Sequence, residues 1–386
     1  MKLYQRVFLK VWLQIKKPES KLMEMRNRNQ IQKAYKPLNC SQIMAAGSKS
    51  FYAASRLFPA RLRGAATIIY TYCRLADDLI DKGGTKKTLE SLRKRLDRIY
   101  LGKPADEGVD REFAKVVMKY DIPKELPLAL LEGFEWDLDG RRYESLDELT
   151  DYAARVAGSV GAMISVLMGV RDSKVLAAAC KLGIAMQFTN IARDVGEDAR
   201  NSRLYLPESW MRQVGLDPDK WLEKPVDDIR IRSLIKKLLE KASSYYQVSG
   251  EAIFLLPKDC RVSILSARYI YEEIGNELKK HSFSSINYRA HVSLSKKLFL
   301  IMKSAKDAIQ SMLLLPYFKK EFIDKSSLQS NLYFMLNPIG NKFRGRRCST
   351  RPLNFLQRLN WVIDLLLKQA ERDKYQLVDS RHPPRQ

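Results

Sequence analysis

Two stretches of this chain read as buried helix, yet both run into aspartates one helical turn apart. That conflict limits what the chain can become. Residues 64–80 ("GAATIIYTYCRLADDLI") repeat apolar side chains at helical spacing and carry Asp77 and Asp78, with Asp81 next. Residues 176–195 lead into "NIARDVGEDARNSRLYLP" (190–207), where Asn190, Asp194 and Asp198 step by four. Side chains four apart share a helix face. Like charges there cost about 0.2–0.5 kcal/mol per pair on an exposed helix, and more near a core unless a cation compensates. One D-x-x-x-D pattern is explained by a solvated face, since about one arises by chance in a chain this long. Two, on helices flanked by "AATIIYTYC" and "CKLGIAMQFTNIA", are not. The expected arrangement is a pair of facing helices with a metal between them. Carboxylate and amide oxygens at this spacing suit a hard ion such as Mg²⁺, which takes one or two carboxylates and leaves positions for water and substrate phosphate. Arg74 and Arg193 beside these acids read either as plain ion pairs or as bidentate phosphate ligands.

The rest of the chain is helical in pattern. Apolar residues recur at i, i+3, i+4 over 149–169, 229–255 and 262–279 as well, and strand-like alternation is scarce. Gly83-Gly84, Pro104, Pro123, Gly140, Pro207, Pro218 and Pro257 mark the turns between. The fold class predicted is all-α, a helical bundle.

Charge divides the chain. The formal net charge is +24. Residues 1–40 hold ten lysines and arginines against two acids, and residues 281–386 hold nineteen against seven. The middle is nearly balanced. Three parts are expected: a basic amphipathic extension over 1–40, a catalytic domain over 41–300, and a basic helical extension over 301–386. In the last part, 331–352 reads as a linker, 353–372 as a helix and the final residues as a disordered tail. In the opening segment Leu3, Val7, Val11 and Ile15 make an apolar stripe among Lys2, Arg6, Lys10 and Lys16, a pattern suited to an anionic membrane surface. Arg6 and Lys10 break any signal-peptide core. No run of 18 uncharged apolar residues occurs, so no transmembrane helix is expected. The five cysteines are scattered, without CxxC spacing, which predicts a reduced, cytoplasmic chain. Three histidines argue against His-based metal sites and a Ser-His-Asp triad. No nucleic-acid motif accompanies the charge, so nucleic acid is not an expected partner.

Four motifs, in order, resemble the squalene/phytoene synthase family: "SKSFYAASRLFP" (48–59), "IYTYCRLADDLID" (69–81), "DYAARVAGSVG" (151–161) and "QFTNIARDVGEDARNSRLYLP" (187–207). The resemblance covers about residues 41–300. The segment "YEEIGNELKKHSFSSINYRAHVSLSKKL" (271–298) looks more like the phytoene and dehydrosqualene synthases than the squalene synthases, and the length and basic helical tail look like bacterial phytoene synthases. The family's first motif often reads D-E-L-V-D where this chain has "DDLID"; both outer acids are kept.

The resemblance implies an isoprenoid-synthase helical fold with a central cavity. It implies that two geranylgeranyl diphosphates are joined head to head, through prephytoene diphosphate, to phytoene; the alternative is a C30 product from farnesyl diphosphate. Asp77 and Asp81 on one wall, with Asn190, Asp194 and Asp198 on the other, would hold Mg²⁺, for which Mn²⁺ can substitute. Asp78 would support them from behind. Arg74, Arg193, Gln187, Ser48, Lys49, Ser50 and Tyr70 would bind diphosphate, and Tyr271 the substrate. Arg203 and Tyr205 would close over the leaving group, and Tyr152 would face the reacting carbons. Ile68, Ala157, Val160, Met163, Ile164, Leu167 and Phe188 are wall candidates, each also explicable as plain packing. No NADPH is expected. Prenyl diphosphates, an anionic membrane surface and downstream carotenoid enzymes are the implied partners, with the enzyme peripheral to the membrane. A non-catalytic relative would have lost acids from one motif, and both are complete here.

Overall fold

The computed structural model describes residues 55–105 and 108–325, with side chains to residue 311. The expected N-terminal amphipathic segment, the linker, the last helix and the tail lie outside these residues, as do Ser48, Lys49 and Ser50.

Every regular element described is helical. They are α1 (Ala60–Asp81), α2 (Lys86–Tyr100), α3 (Gly108–Tyr120), α4 (Glu125–Leu138), α5 (Leu146–Ala153), a π-turn (Ala154–Gly158), α6 (Ser159–Leu167), α7 (Ser173–Arg200), α8 (Glu208–Gln213), α9 (Pro218–Glu223), α10 (Ile229–Ile253), α11 (Arg261–Lys280) and α12 (Leu294–Lys325). Local chemistry sets the boundaries. Thr85 and Thr88 form a capping box at the start of α2. Ser145 caps α5, and Asp172 accepts from two backbone N–H groups at the start of α7. Gly83, at φ +93°, turns the chain directly after the first acid motif.

Helix α7 is the axis of the fold. It packs against α10, α6, the π-turn and α11. Among the described residues it is the one helix long and apolar enough to cross a membrane, but 78% of its apolar window is buried inside the fold, as in a core helix. Small residues bring its neighbours close. A Cβ on Gly183 would stand 2.7 Å from the carbonyl carbon of Ala157, and one on Gly161 would stand 2.5 Å from the oxygen of Ala179. Glycine at both places lets the π-turn and α6 lie directly on α7.

Helix α12 buries Leu300, Ile301, Ser304, Ala305 and Ala308 and packs on α11. It is continuous through residue 300, so the edge predicted there between domain and extension falls inside a helix.

Candidate active site

A cavity of about 1110 Å³ lies along α7. It exceeds the roughly 300–1,000 Å³ usual for a site holding one small molecule. One end is acidic and basic at once. Asp77 and Asp81 reach it from α1, Asn190, Asp194 and Asp198 from α7, and Asp137 from α4, with Arg74, Arg193, Arg203 and Arg289 among them. The remainder is mostly apolar, with Val160 and Ile164 on α6, Leu182 and Met186 on α7, and Ile253 and Ile274 on α10 and α11, interrupted by Ser165 and Ser249. The two acid motifs therefore face one cavity, as their apolar flanks require: each helix buries its other sides.

The acids are not left as bare charges. Arg74 donates to Asp77 at 3.2 Å. Arg203 reaches across from the loop after α7 to pair with Asp81 at 2.8 Å, joining the two motifs. Asp194 accepts from Arg193 at 2.9 and 2.5 Å and from Arg289 at 2.9 and 3.3 Å. Burial pushes the Asp77 carboxyl up to about 7, and the Asp81 charge adds to this. Burial, followed by the Asp194 charge, does the same to Asp198, also to about 7. Burial acts on Asp194 too, but the hydrogen bonds and charge of Arg193, with Arg289 behind them, hold it below the ordinary carboxylate range.

This donor set fits a hard divalent cation. Two half-buried carboxylates, Asp77 and Asp198, are pushed up towards neutral pH by partial burial and by the negative charge gathered beside them, and a cation relieves that. Among the described residues no group of three or more His, Cys, Asp or Glu is drawn together tightly enough to hold an ion unaided. Two walls of one or two carboxylates each, completed by phosphate oxygens and water, is the habit of Mg²⁺.

The structure brings together Tyr70, Arg74, Asp77, Asp81, Tyr152, Gln187, Asn190, Arg193, Asp194, Asp198, Arg203, Tyr205 and Tyr271 around this one cavity. Gln187 accepts from the Asn190 amide at 3.4 Å, and burial pushes the Tyr70 hydroxyl up to about 12. Asp78 pairs instead with Arg74 at 2.7 Å and Lys82 at 3.0 Å, away from the cavity lining. Of the wall candidates, Ala157, Val160 and Ile164 line the cavity. Met163, Leu167 and Phe188 are at most 2% exposed and, with Ile68, lie outside the lining. The helices bearing them are apolar on several sides: Met163, Leu167 and Phe188 fill the core, and Ile68 is half-buried.

Two further residues line the cavity that no sequence motif marks. Asp137 accepts from the Tyr152 hydroxyl at 3.0 Å and the Tyr205 hydroxyl at 2.9 Å. Burial pushes it up to about 6, against the hydrogen bonds of the two tyrosines. The rings of Tyr152 and Tyr205 stack with centroids 5.3 Å apart, so one carboxylate ties two cavity tyrosines together. In sequence it is one of several acids in "EWDLDG", with nothing to single it out. The second is Arg289, on the loop that crosses α7 at Gly196. There the Gly196 N–H donates to Ser285 at 3.2 Å and Arg200 donates to the Ile286 carbonyl at 3.0 Å.

Residues 44–296 match the model of the squalene/phytoene synthase family. The chain belongs to that family. Among relatives, a phytoene synthase of Rhodobacter capsulatus is 46% identical over 71% of this chain and 82% of its own length. A 15-cis-phytoene synthase of a Paracoccus species is 36% identical over 72% of this chain and 93% of its own. Among solved structures, a dehydrosqualene synthase in complex with ligand superposes with a TM-score of 0.66 at 32% identity, covering 74% of this chain and 99% of that one. Like other squalene/phytoene synthases, this chain is a prenyltransferase-type enzyme on an all-helical isoprenoid-synthase fold.

Proposed function

We propose that this enzyme condenses two geranylgeranyl diphosphates head to head, through prephytoene diphosphate, to phytoene, a step of carotenoid biosynthesis. The observation that carries the reading is the pair of acid-bearing helices opposed across one large cavity whose remaining wall is mostly apolar, in a chain whose relatives include phytoene synthases. Asp77 and Asp81, with Asn190, Asp194 and Asp198, would hold Mg²⁺ or Mn²⁺. When bound, the ion neutralises the diphosphate as it leaves. Arg193, Arg203 and Arg289 lie on carboxylates that such an ion would take, and with Arg74 they are placed to turn onto diphosphate oxygens, where a bidentate guanidinium stabilises developing charge. Ser48, Lys49 and Ser50, which lie outside the described residues, belong to the same proposed grip through their motif. The carbocation left behind must meet no water, and Val160, Ile164, Leu182 and Met186 exclude it. Tyr152 and Tyr205, held by Asp137, present hydroxyls and rings to the reacting carbons. The reaction ends in proton loss, so the reading calls for no NADPH.

The same geometry suits a C30 reaction from farnesyl diphosphate, and the likeness to a dehydrosqualene synthase keeps that as the second reading. The charge of +24 and a product that is a long hydrocarbon support a cytoplasmic enzyme lying on an anionic membrane, in reach of downstream carotenoid enzymes. The test is a product assay with Mg²⁺ and either diphosphate, without NADPH, on wild type and Asp194→Asn. A C40 hydrocarbon lost in the variant is expected. No hydrocarbon from either substrate, with helical content intact, would sink the enzyme reading.

A further inference from the structure

Helix α12 buries one side against α11, and its opposite side is unusual. Phe299, Met302 and Ile309 are 58%, 63% and 60% exposed. Steps of three and seven residues put them on one strip of the helix. Lys306 flanks the strip, Lys303 stands beside it with its ammonium 4.4 Å from the Tyr269 ring centroid, and the Lys296 ammonium stands 5.7 Å from the Phe299 ring centroid. The nearby acids are already engaged: Asp307 accepts from the Tyr269 hydroxyl at 2.6 Å, and Glu273 pairs with Lys296 at 3.1 Å. The strip starts beside the cavity, whose lining includes Arg289, His291, Val292 and Lys297.

We propose that this strip is a docking face for an anionic lipid surface, and that prenyl diphosphate enters the cavity from that surface. Large apolar side chains beside lysines are the composition of a helix lying in a membrane interface, with the lysine stems lying along the apolar side chains and the ammonium groups reaching the headgroups. The lysines select an anionic partner, which the basic segments 1–40 and 326–386 of this chain are not. A prenyl diphosphate has the same polarity as a lipid, with its tail in the bilayer and its diphosphate among the headgroups. A cavity mouth at the edge of the strip receives both parts without exposing the tail to water. The route of entry rests on the proposed substrate; the lipid contact does not.

The experiment is vesicle flotation of the full chain, using phosphatidylcholine alone and an equal mixture with phosphatidylglycerol. Wild type should float with the mixture and not with phosphatidylcholine. Lys303→Gln with Lys306→Gln should weaken binding roughly fivefold per lysine. Phe299→Ser, Met302→Ser and Ile309→Ser together should weaken it about tenfold or more. In both variants turnover of detergent-dispersed substrate should match wild type, while turnover of vesicle-borne substrate falls with binding. Variants that float like wild type would assign the membrane contact to other segments and overturn the proposal. A wild type that fails to float would do so as well, and so would a dimer in solution that the serine variant turns into a monomer. Loss of the proposed chemistry would show as no hydrocarbon from dispersed substrate, leaving flotation as a separate reading.

Discussion

Replacing Gly196 by alanine should disable the enzyme while leaving it folded. A Cβ at this position would stand 2.6 Å from both the Cα and the carbonyl carbon of Ile286, which are backbone atoms and cannot rotate away. Ordinary carbon contacts lie near 3.5 Å, so the crossing loop must retreat by about 1 Å. Overpacking of this kind costs about 1–3 kcal/mol, and the shift also stretches the bond from the Gly196 N–H to Ser285. The larger effect is on function. Arg289, three residues beyond Ile286, holds Asp194 at 2.9 Å, and a 1 Å displacement carries it out of hydrogen-bond range. Misplacement on that scale costs roughly 10²-fold in rate. The assay is kcat/KM for geranylgeranyl diphosphate beside a thermal melt, with Arg289→Ala for comparison. Gly196→Ala should lose about 10²-fold in kcat/KM with a melting point only a few degrees lower, and Arg289→Ala should lose activity with an unchanged melting point. A Gly196→Ala enzyme with wild-type kcat/KM would refute the claim that this glycine positions the loop.

Other outcomes are expected from the same geometry. Asp137→Asn removes a charge that two tyrosines share, and should lower kcat/KM about tenfold or more without loss of fold; unchanged kinetics would show that the shared carboxylate does no positioning. Asp77 and Asp198 are held near 7, so protons compete with the metal: Mg²⁺ affinity measured calorimetrically should fall as pH drops from 8 to 6, and a flat profile would contradict this. In the metal-free protein the same raised values mean the folded state binds more protons than the unfolded state between about pH 4 and 7. Its stability should therefore fall as pH rises through that window and be regained on adding Mg²⁺. Gly183→Val should lower the melting temperature by several degrees, because its side chain would enter the Ala157 carbonyl.

The fold class and both acid motifs were legible because they rest on periodicity. Apolar spacing gives the helices, and a four-residue step gives a shared face whatever surrounds it. Asp137 was not legible because its meaning depends on Tyr152 and Tyr205, 15 and 68 residues away. Arg289 sits in a loop with no period to read. The cavity wall was only partly legible. On α6, Val160 and Ile164 line the cavity while Met163 and Leu167 fill the core, and an apolar side chain carries no mark of which empty or filled space it will meet. Asp78 looks like a third acid of its motif, and only Lys82 and Arg74, placed on its own side of the helix, reveal it as an ion-pair partner.

The π-turn at Ala154–Gly158 has a consequence for what lengths this segment can have. A π-turn holds one residue more than an α-turn, so a deletion inside 154–158 is absorbed as the turn tightens, whereas one residue less in α6 itself rotates everything after it by about 100°. Deleting one would hand the place of Val160 to Gly161 and that of Ile164 to Ser165, and would press Ala162 into the gap beside Ala179 that admits only a glycine. A greasy wall would become a wetted one, and two helices would be forced apart. Descendants of this enzyme should lose a residue at the π-turn more readily than in α6, where the loss would move Val160 and Ile164 off the cavity wall.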